Sequence, residues 1–229
     1  MRKYLIIFGA SGNLGKGVTT SIIKKKYDSI TLLDFDISSL IISQQNINAK
    51  RIKDLSLEEN VAEAFEMFTT DRNSEYFIFS TIGGYSGGKE ISETSYDEWL
   101  AMQKLNANIS FLIAKYSVKL LKKSAGGSIL FTSAMTSINP EIGKAAYGTS
   151  KNSLNYLVKS LALEGAKYNF TANAIAPLAL DTEENRIWAD GDILTKPEEI
   201  GEFISHLFKN YKKVNGNIYE ITGNILPNL

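Results

Sequence analysis

The sequence predicts an α/β fold, a doubly wound parallel sheet with helices on both faces. Short apolar runs bounded by turn residues alternate along the chain with segments of helical periodicity. The first apolar run leads straight into a glycine-rich turn and then into residues that can open a helix. A chain of 229 residues suits one core of this kind, so we expect a single domain over 1–229.

The apolar runs place the strands and the periodic segments place the helices. Strands are expected at 4–8, 29–33, 49–52, 75–80, 128–133, 171–176 and 217–221. Helices are expected after the glycine turn, at 57–68, 95–123 and 146–167, and from 197 onward. Ser56 is the expected N-cap of the helix at 57–68, and the glycine pair at 126–127 is expected to stop the long helix before it. Because the order is strand, helix, strand, the strands should run parallel.

The composition argues against several classes of function. Lys plus Arg and Asp plus Glu each number 25, so the formal charge is zero and nothing favours a nucleic-acid or membrane partner. The chain has no cysteine and one histidine, His206, which argues against a metal site. No segment approaches the ~20 apolar residues of a membrane span. We expect a cytoplasmic protein that acts on a small molecule.

The turn after the first strand predicts a dinucleotide site. Its glycines follow the spacing G-x-x-G-x-x-G, which lets the backbone approach a pyrophosphate that the next helix holds with its first amides. The candidate contacts in this turn are Gly9, Ser11, Gly12, Asn13, Leu14 and Gly15. A plain strand-to-helix turn is the alternative.

Asp34 ends the second strand, 19 residues beyond Gly15. An acidic side chain at this place accepts the hydroxyls of an adenosine ribose and repels a 2′-phosphate. Asp34 therefore favours NAD(H) over NADP(H), with a simple acidic turn as the alternative.

The loop at 81–88 is the most glycine-rich in the chain and follows the fourth strand. Loops at the carboxyl ends of parallel strands border the ligand crevice of such sheets. This loop is therefore a candidate for the crevice, and a flexible connector is the alternative.

Tyr147 and Lys151 form the pattern Y-x-x-x-K. Residues four apart lie on one face of a helix, so both side chains can point into one pocket. A lysine charge beside a phenol lowers the tyrosine pKa from its usual ~10 toward the range of an acid/base catalyst. The pattern alone also occurs by chance in many helices.

The segment at 178–195 has little periodicity and two acidic clusters, which suggests a mobile lid over the crevice. His206 falls on the helix that follows, away from every strand end, and is interpreted as structural.

Taken in order, these residues resemble the short-chain dehydrogenase/reductase family nearly end to end. The matching features are the glycine turn, Asp54 with Leu55, the loop at 81–88, Asn106, the hydroxyl-bearing end of the fifth strand, Tyr147 with Lys151, and 173–177 with Thr182. The resemblance implies a Rossmann-like fold and hydride transfer between NAD(H) and a small substrate.

The resemblance also implies a role for each matching residue. Tyr147 would exchange a proton with the substrate, while Lys151 would lower its pKa and hold the nicotinamide ribose. Asn106 would support Lys151 through a water molecule. The other implied cofactor contacts are Asp54 with Leu55 at the adenine, Thr81, Ile82 and Gly83 beside the cofactor, and Pro177 and Thr182 at the nicotinamide.

Three positions depart from the family pattern. Asn13 stands at the middle glycine of the turn, and 80–83 read Ser-Thr-Ile-Gly instead of Asn-Asn-Ala-Gly. The serine that orients substrate in the family lies 13 residues before the tyrosine, where this chain has Ala134, with Ser133 one residue earlier. A loop insertion could bring Ser133 into register, so Ser133 stays a catalytic candidate.

The glycine loop, Ala134 and 177–186 look like the quinonoid dihydropteridine reductase branch of the family, although Asn106 belongs to the wider family. That branch implies a quinonoid dihydropteridine substrate, NADH, and Tyr85 as an aromatic wall. A carbonyl or 3-oxoacyl reductase using Ser133 is the alternative enzyme, and a non-catalytic NAD(H)-sensing regulator is the alternative of another class. The family also implies a homodimer or homotetramer joined by the long helices at 95–123 and 146–167.

Overall fold

The computed structural model describes residues 1–40, 42, 44–189 and 191–223. Position 190 of the predicted lid, and positions 41, 43 and 224–229 of the predicted domain, lie outside these residues. The strands are β1 Arg2–Phe8, β2 Ser29–Asp34, β3 Ile47–Arg51, β4 Ser74–Ser80, β5 Gly126–Thr132, β6 Phe170–Pro177, β7 Ala179–Leu180, β8 Leu194–Thr195 and β9 Ile218–Ile221. The helices are α1 Asn13–Ile22, α2 Glu58–Glu66, α3 Tyr96–Met102, α4 Ile109–Leu121, α5 Ala145–Gly165 and α6 Pro197–Lys209.

Seven strands form one parallel sheet in the order β3-β2-β1-β4-β5-β6-β9. The order reverses direction at β1, because successive strands are added first on one side of β1 and then, from β4, on the other. The predicted doubly wound α/β fold is confirmed. The short strands β7 and β8 pair with each other inside the predicted lid.

The sheet divides two apolar layers because neighbouring residues of a strand point to opposite faces. Ile6 and Phe8 of β1 pack with α2, α4 and α5, whereas Leu5 and Ile7 pack with α1 and α6. This arrangement explains why the central strands read as unbroken apolar runs. No helix among the described residues is both long and apolar enough to cross a membrane.

The long helical segment predicted after Ser95 is present over 96–121, and a π-helical turn over Gln103–Asn108 joins α3 to α4 within it. The predicted N-cap of α2 is wrong. Ser56 does not cap α2, whose N-cap is Leu57 without a side-chain cap, and the Ser56 N–H instead donates to Asp54 in a turn.

The glycine pair at 126–127 lies inside β5 and does not end the long helix, which stops at Leu121. Both glycines have positive φ, 133° and 148°. A Cβ on Gly127 would lie 1.8 Å from the carbonyl oxygen of Tyr76 on the neighbouring strand. Gly127 is needed because β4 and β5 approach closely there, and Gly126 because a Cβ would meet the carbonyl oxygen of Asn169 before β6.

Candidate active site

The predicted site residues gather at the carboxyl edge of the sheet. The glycine turn follows β1, Asp34 ends β2, the glycine loop at 81–88 follows β4, and Pro177 ends β6. Tyr147 and Lys151 reach the same edge from the first turns of α5. Ligands of open parallel sheets bind at this edge, where the strand order reverses.

The glycine turn has the shape that a pyrophosphate requires. Gly9 has a φ of 79°, and a Cβ on Gly15 would lie 2.1 Å from the Gly9 carbonyl oxygen, so α1 can pack against β1 only with glycine there. Gly12 caps α1 without a side-chain hydrogen bond, and Gly12 and Asn13 are exposed. The first amides of α1 therefore face solvent and fit a phosphate. Leu14 is buried, so its side chain belongs to the core.

Asp34 is held against the glycine turn. One carboxylate oxygen accepts a hydrogen bond from the Ser11 N–H at 2.8 Å, and the other accepts from the Phe35 N–H at 2.7 Å. The carboxylate is thus fixed between the turn and the end of β2, at the predicted ribose position.

Leu55 and Asp54 are two further candidate cofactor contacts, one through its backbone and the other through an exposed side chain. Leu55 is buried in the apolar core, so only its backbone can face a ligand. Asp54 is exposed, and hydrogen bonds from the Ser56 backbone N–H and hydroxyl lower the pKa of its carboxyl. Asp54 is therefore an ionised side chain at the end of β3.

Thr81 joins the two loops of the crevice. Its hydroxyl donates to the carbonyl oxygen of Gly9 at 2.7 Å. The carbonyl oxygen of Phe8 lies 3.1 Å from the same hydroxyl. Ile82 packs on the apolar core, and Gly83 follows on the exposed side. The departure at 80–83 therefore keeps a side chain that fastens the glycine turn to β4.

Asn106 clamps the glycine loop. Its Oδ1 accepts from the Gly84 N–H, and its Nδ2 donates to the Gly84 carbonyl oxygen, both at 3.0 Å. The same amide donates to the Ser150 hydroxyl at 3.0 Å, and Ser150 donates to the Tyr147 carbonyl oxygen at 2.7 Å. Asn106 thus reaches α5 through Ser150, and the π-helical turn that carries it is what places its side chain between the loop and α5.

Lys151 is buried with its ammonium donating to the Thr132 carbonyl oxygen at 2.8 Å. A Cβ on Gly83 would lie 2.6 Å from this Nζ and 2.8 Å from Asn106 Oδ1. Gly83 is therefore the residue that leaves room for the ammonium under the glycine loop. Burial lowers the pKa of Lys151 to about 8.

The pKa of Tyr147 is raised to about 12, by burial first and then by the neighbouring Tyr85 and Glu141. The expectation that Lys151 lowers this pKa is wrong for this structure. The reason is that the phenol lies among groups that disfavour its anion, while the Lys151 ammonium is bound to the backbone of Thr132. Tyr147 is consequently a protonated phenol at neutral pH.

Tyr85 packs edge-on against Tyr147, with ring centroids 5.1 Å apart and an interplanar angle of 85°. Its ring lies back over its own loop, because a Cβ on Gly87 would lie 2.7 Å from the Tyr85 hydroxyl. Lys144, paired with Glu141 at 2.7 Å, lies 5.9 Å from the centre of the Tyr85 ring. Tyr85 is nevertheless 59% exposed, so part of a fixed aromatic surface borders the phenol.

Ser133 is 3% exposed and belongs to a buried network. Its hydroxyl donates to Asn155 Oδ1 at 2.6 Å, and Asn155 Nδ2 donates to the Ser137 hydroxyl at 2.8 Å. Ser137 in turn donates to the Ala134 carbonyl oxygen at 2.6 Å. Ser133 therefore packs against α5 at Asn155, two turns beyond Tyr147, and its hydroxyl proton is donated to that residue.

The predicted lid at 178–195 follows Pro177, which is buried at the end of β6. Thr182 accepts from the Asn185 N–H at 3.3 Å, which fixes its hydroxyl within the segment. Asn13 lies 3.5 Å from a carboxylate oxygen of Glu184, so the segment reaches the glycine turn. No cluster of potential metal ligands occurs among the described residues.

Sequence reasoning missed Ser150 and Asn155. Ser150 lies between the two residues of the Y-x-x-x-K pattern, and Asn155 lies four residues after Lys151, on the same helix face. A search of that face for polar side chains finds both. Ser137 and the carbonyl group of Thr132 carry no such signal.

Comparison with known proteins finds relatives along most of this chain. A family model described as enoyl-(acyl carrier protein) reductase matches residues 42–218. Dihydropteridine reductase of Dictyostelium discoideum is 30% identical over 210 residues, which cover 88% of this chain and 86% of that protein. Carbonyl reductase family member 4 of Xenopus tropicalis is 23% identical over 236 residues, 98% of each chain. The solved structure of ElxO with NADP bound has a TM-score of 0.85 at 20% identity, covering 96% of this chain and 97% of that one, which shows the shared fold.

Replacing Lys151 by Met should change how stability depends on pH. The lysine pKa is lowered from 10.5 to about 8 on folding, so the unfolded chain binds more protons between these values, and stability from this group rises with pH across that window. The free energy of unfolding of the unmodified protein, relative to Lys151→Met, should therefore increase by about 3 kcal/mol over the window. Urea unfolding of both proteins at a series of pH values measures this difference.

The exposed Lys159 on the same helix gives the matched control. The free energy of unfolding of Lys159→Met, plotted against pH, should run parallel to that of the unmodified protein, because the Lys159 side chain is exposed. If the plot for Lys151→Met is also parallel, the Lys151 charge is not buried as the structure has it.

Proposed function

This chain belongs to the short-chain dehydrogenase/reductase family, and we propose that it is an NAD(H)-dependent reductase whose substrate is a small flat ring, a quinonoid dihydropteridine being the first candidate. One observation carries the proposal. A protonated, partly buried Tyr147 lies beside the fixed ring of Tyr85, while the family's serine position is Ala134.

The residues present fit a nicotinamide dinucleotide. The uncapped first turn of α1 fits a pyrophosphate, Asp34 fits a ribose, and Gly83 leaves open the space above Lys151. When bound, the nicotinamide supplies the hydride. The protein supplies binding, orientation and the proton.

Tyr147 is the proposed proton donor. With a pKa of about 12 the phenol carries its proton at neutral pH, which suits reduction, where the substrate gains a hydride and one proton. The phenolate left behind regains its proton from solvent. Lys151, with a pKa of about 8, is mostly an ammonium at pH 7, bound to the Thr132 carbonyl oxygen, and is proposed to hold the nicotinamide ribose. Asn106 holds the glycine loop in place over this pair.

The substrate class follows from the missing hydroxyl. Ala134 offers no second donor, and Ser133 is bound to Asn155. A carbonyl reduction develops charge on oxygen that a second donor stabilises, whereas protonation of a ring nitrogen needs only one donor. The exposed part of Tyr85 adds a stacking surface for a flat ring. The relative named dihydropteridine reductase supports this choice, and the relatives named carbonyl reductase support the alternative.

NAD(H) is proposed over NADP(H) because the Asp34 carboxylate, fixed between the glycine turn and the end of β2, would repel a 2′-phosphate. Asp54 and the backbones of Leu55 and Ile82 are proposed to border the adenine side. Pro177 and Thr182 are proposed to border the nicotinamide, with 178–195 acting as a lid. A cytoplasmic location is proposed for an enzyme that uses a soluble cofactor.

Tyr147→Phe tests the proton donor. The variant keeps the ring against Tyr85 and loses only the hydroxyl, so kcat for NADH-dependent reduction of a quinonoid dihydropteridine should fall roughly 10²–10⁴-fold. The Kd for NADH, followed by its fluorescence, should stay unchanged. Tyr168→Phe, in the turn after α5, is the control and should keep full activity. A Tyr147→Phe enzyme with normal kcat would rule out the proposed chemistry.

Ser133 and Ala134 separate the two substrate classes. In the proposed enzyme Ser133→Ala should leave kcat within about twofold, while losing roughly 1–3 kcal/mol of stability because Asn155 Oδ1 loses its donor. A carbonyl reductase that uses Ser133 should instead lose roughly 10²–10³-fold in kcat. Ala134→Ser supplies the missing donor and should raise the ratio of carbonyl to dihydropteridine turnover. Steady-state kinetics on both substrates decides between the classes.

A homodimer or homotetramer is proposed through α4 and α5. Phe111 on α4 is exposed, as are Tyr156 and Leu163, which lie seven residues apart on one face of α5. Phe111→Lys and Leu163→Lys should each shift the mass measured by light scattering toward the monomer. Ile91→Lys, at an exposed position outside both helices, should not. A monomeric unmodified protein would contradict the proposal.

A further inference from the structure

We propose that Arg51 is a second determinant of cofactor choice: held on the exposed ring of Phe35 beside Asp34, it forms a basic site for a 2′-phosphate that the Asp34 carboxylate keeps closed. This inference rests on the proposed binding of a nicotinamide dinucleotide. It concerns the adenosine end of that ligand, away from Tyr147 and Lys151.

The sheet register brings the two opposite charges together. β2 and β3 are parallel neighbours, and Asp34 is the partner of Arg51 in their register. Partner residues of adjacent strands point to the same face of a sheet. Each of the two ends its strand, so both lie at the carboxyl edge, where the crevice is.

Phe35 fixes the guanidinium. The Arg51 Cζ lies 4.9 Å from the centre of the Phe35 ring, within cation–π range. The ring is 63% exposed, and Arg51 is exposed as well, so the pair lies on the surface next to Asp34. An arginine stacked on an aromatic ring keeps its N–H groups free along the edge of its plane, which is the geometry that binds phosphate.

A second cation lies close by. Hydrogen bonds from Ser38 lower the pKa of Asp36, and the charges of Arg51 and Lys16 lower it further. Lys16 directly follows Gly15 in the first turn of α1 and is exposed. Asp36 itself accepts the Ser38 N–H at 2.9 Å, so its carboxylate is engaged by its own turn. Two positive charges therefore border the end of β2.

Asp34 opposes these cations. Its carboxylate, anchored by the N–H groups of Ser11 and Phe35, repels a phosphate and offers acceptors to ribose hydroxyls. Arg51 attracts the same phosphate. The proposed preference for NAD(H) therefore depends on the balance of Arg51 and Lys16 against Asp34 and Asp36. Because Asp34 is the carboxylate anchored to the glycine turn, removing it should shift that balance toward binding a phosphate.

The experiment measures binding by titration calorimetry on the full chain, with four probes: NADH, NADPH, 5′-AMP and adenosine 2′,5′-bisphosphate. Asp34→Ser should raise the affinity for NADPH relative to NADH by roughly 10–100-fold. The affinity for adenosine 2′,5′-bisphosphate relative to 5′-AMP should rise by the same factor. Asp34→Ser/Arg51→Gln should lose most of that gain. Asp34→Ser/Arg72→Gln removes an arginine at the opposite edge of the sheet, before β4, and should keep it.

Two further variants complete the test. Arg51→Gln alone should leave NADH binding within about twofold and weaken NADPH binding. In the Asp34→Ser background Arg51→Lys should keep only part of the gain, because a point charge replaces the two-pronged guanidinium. The gain should also shrink as salt is added.

The outcomes distinguish this inference from the proposed function. If Asp34→Ser/Arg51→Gln keeps the whole gain, Arg51 is not the phosphate ligand and the inference is wrong, although NADH binding still stands. If the unmodified protein binds neither NADH nor 5′-AMP, dinucleotide binding and this inference both fall. Loss of the gain only on removal of Arg51 supports it.

Discussion

The paired hydrogen bonds between Asn106 and Gly84 hold the candidate active site together. One carboxamide satisfies both the N–H and the carbonyl group of Gly84 and adds a third bond to Ser150 on α5. The glycine loop is thereby fixed to the helix that carries Tyr147 and Lys151. Gly83 can then lie against the Lys151 ammonium, and Tyr85 can lie against the Tyr147 ring. The Asn106 side chain is fully buried, and these hydrogen bonds satisfy its polar atoms. Removing the side chain would leave the N–H and carbonyl groups of Gly84 without these partners, which would destabilise the loop.

Burial also shifts the pKa of Tyr147 and that of Lys151. Desolvation disfavours the charged form of each group, so it raises the pKa of Tyr147 and lowers that of Lys151. At neutral pH the phenol keeps its proton, and the Lys151 ammonium, with a pKa of about 8, is closer to losing a proton than a lysine in water. A phenol that carries its proton is what the proposed reduction requires of Tyr147. The same burial requires a carbonyl acceptor for the ammonium, which Thr132 provides.

The fold could be predicted from the sequence, and so could the gathering of most candidate residues at one edge of the sheet, because both depend on local pattern. Unbroken apolar runs mark strands buried on both faces, and the spacing from Tyr147 to Lys151 is itself a helix repeat. The features that depend on tertiary packing were not accessible. Nothing in Gln103–Asn108 marks a π-helical turn, and the positive φ of Gly127 follows from the approach of Tyr76. The direction of the Tyr147 pKa shift was missed because it depends first on burial of the phenol and then on its neighbours Tyr85 and Glu141, and tertiary packing decides both.

The one-residue offset between Ser133 and Ala134 has a physical meaning in the structure. Ser133, Asn155 and Ser137 form a chain of hydrogen bonds that ends on the Ala134 carbonyl oxygen, and Asn152 adds a bond to the Ser137 carbonyl oxygen at 2.9 Å. The loop between β5 and α5 is therefore fixed by polar groups on its buried side. A loop held in this way does not need the hydroxyl at 134 for its own stability. Position 134 is consequently free to vary with the substrate, and alanine there suits the proposed ring-nitrogen substrate, for which Tyr147 is the one proposed donor.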